Sequence, residues 1–111
     1  MEKDILDNTE LLGQICHLDD GRLFIILPND KQGFSEQKTV SEIHDIYARF
    51  NQQQSKEGYI KGHGDVHIYV GQSLGYTKQN IFNDTIHRTV ILLESELYGM
   101  KVTTVLEAKD D

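Results

Sequence analysis

His63, Asp65, His67 and Tyr69 occupy alternate positions in the stretch Gly62-His-Gly-Asp-Val-His-Ile-Tyr-Val70. In an extended strand, side chains alternate between faces, so these four share one face within about 20 Å and Val66, Ile68 and Val70 line the other. Two imidazoles beside a carboxylate can do two kinds of chemistry. His-x-Asp-x-His offers nitrogen and oxygen ligands to zinc or another divalent ion. Same-face neighbours are about 6.5–7 Å apart at the backbone, which separates His63 from His67 by nearly twice that. One ion would need a bulge at Gly62 or Gly64 and a further ligand, with His87, His44 and Glu94 as candidates. The second chemistry is proton transfer by a histidine held against Asp65, but no Ser or Cys nucleophile stands beside the pair. The plainest account of this face is the polar side of an amphipathic strand.

Tyr69, Tyr76 and Tyr98 are the candidate binding surface, with Tyr59 as a fourth tyrosine of the same kind. Tyrosine brings large contact area with a polar tip and is favoured at interfaces. Gly71-Gln-Ser-Leu-Gly75 lacks the pattern of a phosphate-binding loop and reads as a plain loop. Cys16 is the one cysteine. No internal disulfide can form, which fits a reducing compartment, and its apolar neighbourhood makes it a small buried hydrophobe. Pairing it catalytically with His17 is unattractive, because adjacent strand residues face opposite ways.

Those residues must be held by a fold that 111 residues can build as one domain spanning 1–111. The hydrophobic fraction is 38% and the mean hydropathy −0.47. Even so, dense apolar runs at Leu23–Leu27, Val90–Leu93 and Val102–Leu106 argue for an ordered core. The net charge is −7, and the basic residues are scattered. Nucleic acid and anionic membranes are therefore not expected partners. Charge of this size serves solubility first, and a partner steered by it would be basic. No stretch is apolar enough to span a membrane, and the first residues do not read as a secretory leader, so a cytoplasmic protein is expected.

Asp19-Asp20-Gly21 between apolar runs predicts a hairpin over 11–27, with Leu12, Gln14, Cys16 and Leu18 on one face. The unbroken run Leu23–Leu27 predicts a central strand, buried on both sides. A polar loop over 29–38 follows, where Phe34 would tuck back onto the domain. Thr39-Val-Ser-Glu42 has the form of a capping box. Val40, Ile43, Ile46, Tyr47 and Phe50 then recur at helical spacing, predicting a helix over about 40–54 that fades into polar residues before Gly58. A strand over 65–70 carries the His/Asp face. Residues 80–98 support two readings. Phe82, Ile86, Val90, Leu93 and Leu97 make a helical stripe, but β-branched residues favour a strand that turns at Tyr98-Gly99 and sets Glu96 against Lys101. A strand over 101–107 ends the fold, with 1–10 and 108–111 expected to fray.

The expected architecture is α+β, an antiparallel sheet of four or five strands with one main helix on one face. A second copy of the chain would protect its edges as a homodimer. The functional expectation is a small acidic domain that binds another protein through its surface, of the inhibitor, immunity or adaptor type, needing no cofactor. The alternative is a small metal-dependent or acid/base enzyme built on His63, Asp65 and His67.

Overall fold

The computed structural model describes residues 8–28 and 38–109. Its elements are β1 (Thr9–His17), β2 (Leu23–Ile26), α1 (Val40–Ala48), β3 (Phe50–Ile60), β4 (Gly64–Gln79), β5 (Thr85–Leu97) and β6 (Met100–Ala108). All strands join one antiparallel sheet in the order β2-β1-β6-β5-β4-β3. The α+β class stands as expected, but the sheet has six strands, not four or five.

The additional strand is β3, and it takes residues that the helical pattern claimed. The capping box is present: Glu42 N donates to Thr39 Oγ1 at 3.2 Å, and Thr39 N reaches back to Glu42 Oε1. These bonds satisfy donors that a helix start leaves unpaired. The helix ends at Ala48, however, and Phe50 opens β3. Residues 51–59 are exposed on both sides and follow no apolar period. An edge strand of this kind is held by its ladder to β4 and leaves no hydrophobic signature to read. Gly62 and Gly64, both at positive φ, close the tight β3–β4 turn, where His63 N donates to Ile60 O at 2.9 Å.

The first hairpin turns at Asp19-Asp20-Gly21 as expected. Gly21 N donates to Leu18 O at 3.0 Å, Leu18 N donates to Arg22 O at 2.9 Å, and Gly21 takes φ 88°. Two details differ from the sequence pattern. A bulge between Leu11 and Gly13 turns Leu12 to the helix side, away from Gln14 and Cys16. One extra residue reverses the face of what precedes it. β2 is an edge strand, not a central one, so Leu23 and Ile25 face the helix while Phe24 (58% exposed) and Ile26 (44%) face water.

β5 and β6 form the expected hairpin through Tyr98 (φ 56°) and Gly99 (φ 77°). Two left-handed residues suit a two-residue hairpin turn. Glu96 lies opposite Lys101 in the ladder, as the sequence pairing required. Strand β4 is longer than 65–70, and the segment 71–75, read as a plain loop, belongs to it as a wide bulge between Gln72 and Thr77. Thr9, Glu10 and Ala108 are strand residues, so fraying does not reach that far in. Residues 1–7, 29–37 and 110–111 lie outside the described residues, so the expected loop over 29–38 with Phe34 falls almost wholly among them.

Both faces of the central strands are apolar. On the helix side, Ile43 and Ile46 of α1 pack on Leu12, Ile15, Val90, Leu92 and Val105. On the opposite side, Ile60, Val66, Ile68, Ile91, Leu93 and Leu106 form a second cluster. Burial of each such side chain stabilises the fold by about 1.5–3 kcal/mol relative to exposure. Among the described residues, no helix is long and apolar enough to cross a membrane.

Candidate functional site

The β4–β5 hairpin runs beyond the other strands. Ladder pairs Thr77–His87, Lys78–Ile86 and Gln79–Thr85 continue outward from the sheet. β3 pairs with β4 only as far as Ser73, and β6 pairs with β5 only as far as Val90. The result is a two-stranded arm, closed by Asn80-Ile81-Phe82-Asn83-Asp84. Its turn repeats the geometry of the first hairpin. Asn83 N donates to Asn80 O at 3.0 Å, Asn80 N donates to Asp84 O at 3.0 Å, and Asn83 takes φ 65°. Asn80 Oδ1 also accepts from the amides of Phe82 (2.9 Å) and Asp84 (3.0 Å). Asparagine suits this role, because its short amide can mimic a backbone turn.

The two turns share a backbone and differ in what they carry. Where the first has Asp19 and Asp20, the second has Ile81 and Phe82, 92% and 76% exposed. Aspartates show that this turn geometry needs no apolar residue. The exposed pair therefore contributes nothing to closing the hairpin.

At its base the arm is tied to the sheet by buried polar contacts. Tyr76 OH donates to Glu107 Oε1 at 3.0 Å, and Arg88 Nε lies 3.4 Å from Glu107 Oε2. The Arg88 guanidinium sits 4.7 Å from the centre of the Tyr76 ring, and Lys38 Nζ is 5.1 Å from it. Burial pushes the Tyr76 phenol upward, well out of its ordinary range, and keeps it a neutral donor. This cluster fixes the arm's direction.

A second feature lies between the C-terminal end of α1 and the sheet. It is a cleft of about 350 Å³ walled by Tyr47, Phe50 and Tyr69, with Leu92, Glu94 and Thr103 also lining it. The ladder sets Thr103, Glu94, His67 and Glu57 side by side across β6, β5, β4 and β3. Glu94 Oε2 accepts from Lys101 Nζ at 3.2 Å. Beside it, His17 Nε2 lies 3.0 Å from Thr103 Oγ1, and its ring meets Tyr47 edge-on at 5.9 Å. Burial lowers the His17 pKa, Lys101 lowers it further, and Glu94 opposes both.

The residues singled out from sequence are only partly brought together. Asp65, His67 and Tyr69 alternate along β4, and the rings of His67 and Tyr69 stack at 4.6 Å. His63 lies in the β3–β4 turn, outside that strand. Of the further ligand candidates, Glu94 is the ladder partner of His67, whereas His87 is out on the arm and His44 is exposed on α1. Among the described residues, no group of three or more His, Cys, Asp or Glu is placed to hold a metal ion. Positions four apart along an extended chain, as His63 and His67 are, lie too far apart at the backbone for one ion without a bulge, and the β3–β4 ladder beside the turn carries no register shift that would draw His63 inward.

The three tyrosines do not form one surface. Tyr69 lines the cleft, Tyr76 is half-buried at the arm's base, and Tyr98 is 97% exposed at the β5–β6 turn. Sequence reasoning overlooked Ile81. A legible signal existed, since Asn80, Asn83 and Asp84 are turn formers around two large apolar residues. It was masked because Phe82 also fits a helical stripe. Comparison with protein-family models, with curated proteins and with solved structures finds no match.

Proposed function

We propose that this is a small acidic domain that acts by binding another protein through its surface, as an inhibitor, immunity or adaptor protein does. The observation that carries this reading is the arm tip. Ile81 and Phe82 are held outward by a turn whose twin manages with two aspartates. Large apolar side chains kept in water at an ordered tip gain about 1.5–3 kcal/mol each when a partner covers them. Anchors of this kind tend to dominate an interface. The net charge of −7 favours a basic partner, and a single cysteine is in keeping with the cytoplasm. The enzyme reading of His63, Asp65 and His67 draws no support from their separation.

A photocrosslinking amino acid in place of Phe82, compared with the same group in place of Asp20, tests this in the native cell. Position 20 is the matching place in the twin turn and is likewise exposed. The expected result is a discrete protein adduct from position 82 and none from position 20. Identical patterns from both positions would remove the tip as a binding element.

A further inference from the structure

We propose that the cleft beside the end of α1 receives the guanidinium of an arginine side chain on the bound protein, with Glu94 as its counter-charge. The proposal rests on the protein-binding reading for the source of the arginine, while the cleft itself argues for the group. Two features favour a cation there. Tyr47, Phe50 and Tyr69 line it with aromatic rings, and a planar guanidinium packs on such rings better than an ammonium does. Glu94 supplies one carboxylate at the wall, matching the fork of a guanidinium. The last turn of the helix holds no basic residue, and Arg49, the C-cap, is paired with Asp45 at 3.0 Å. A volume of about 350 Å³ is at the low end for ligand sites and suits a side chain more than a large cofactor.

Lys101 is the internal competitor. Its Nζ holds Glu94 at 3.2 Å, yet its ladder partner is Glu96, which is exposed. When a guanidinium takes Glu94, Lys101 has a second carboxylate across the strand. Loss of Lys101 should therefore tighten binding, and loss of the Glu94 charge should weaken it. Glu57 lies in the same ladder row, two strands away, and does not line this cleft. It provides a control with the same change of charge.

The test is an amide NMR titration of the full chain with N-acetyl-argininamide, with N-acetyl-lysinamide alongside. Saturable shifts are expected at Gln52, Leu92, Glu94 and Thr103, with arginine the tighter of the two. Glu94→Gln should weaken binding about tenfold, the worth of a charge-assisted hydrogen bond. Lys101→Ala should tighten it by about twofold to fivefold, and Glu57→Gln should leave it unchanged. Shifts that do not saturate, or equal losses in the Glu94 and Glu57 variants, would show only diffuse attraction to an acidic surface and overturn the site. Crosslinking from position 82 is read independently, so the cleft and the binding module can fail separately.

Discussion

The amide of Phe82 donates to the side-chain oxygen of Asn80 at 2.9 Å, and by that bond a large apolar residue is held in water. The same oxygen accepts from Asp84. Asn80→Ala should therefore release the tip without disturbing the sheet. Amide exchange at residues 82 and 84 should accelerate while the core amides of β5 and β6 stay protected. Global stability should fall by no more than about 1.5 kcal/mol, the net worth of one or two exposed hydrogen bonds. Loss of protection throughout the sheet would mean that the tip is part of the folding core.

Gly71 gives a sharper test of the β3 edge. A side chain there would run into the backbone oxygen of Asn51, where β3 bulges between Gln52 and Gln54. Backbone cannot swing aside as a side-chain end can, so β3 must shift as a whole. Gly71→Ala should cost about 2–3 kcal/mol in urea unfolding. A variant as stable as the parent would show that β3 is not held against β4 in this register.

Stability should also depend on pH through His17. Burial lowers its folded-state pKa below 6.5, with Lys101 adding to the effect. The unfolded chain thus takes up the proton first, and stability that is complete above about pH 6.5 is lost as the pH falls from there to the folded value. Urea midpoints should drop across that window in the parent and drop less in His17→Gln. Parallel pH profiles for the two proteins would assign the dependence to other groups.

If a second copy of the chain covers the open edge at β2, the exposed Phe24 and Ile26 of that strand would lie at the seam. Light scattering across a concentration series should show a dimer that Phe24→Ser with Ile26→Ser converts to monomer. A parent that stays monomeric throughout, or a dimer indifferent to these changes, would rule out that seam.

How much of this was legible in the sequence depends on what each residue is held by. The capping box at Thr39 and Glu42, the Asp19-Asp20-Gly21 turn and the Glu96–Lys101 pairing are local devices, and each sits where the sequence places it. The helical stripe overstates α1 because Phe50 continues it while belonging to β3. β3 itself escaped because pairing alone sustains it. Leu23–Leu27 looked central because its outward residues, Phe24 and Ile26, are apolar yet exposed. Alternation puts His63 on one face with Asp65 and His67, and it cannot reveal that the turn takes His63 out of the strand. Glu94 and Tyr47 meet at the cleft only through tertiary packing, so no local pattern announces it.

On the proposed function, Ile81 and Phe82 serve a partner and not the fold. The most direct measurement of this is the affinity for the protein captured through position 82, comparing the parent with Ile81→Asp/Phe82→Asp, each with its unfolding curve. Binding should weaken at least about 100-fold, since covering two such side chains is worth several kcal/mol. Stability should stay within about 0.5 kcal/mol, as for surface substitutions. Unchanged affinity, or a loss of affinity that merely follows a loss of stability, would contradict it.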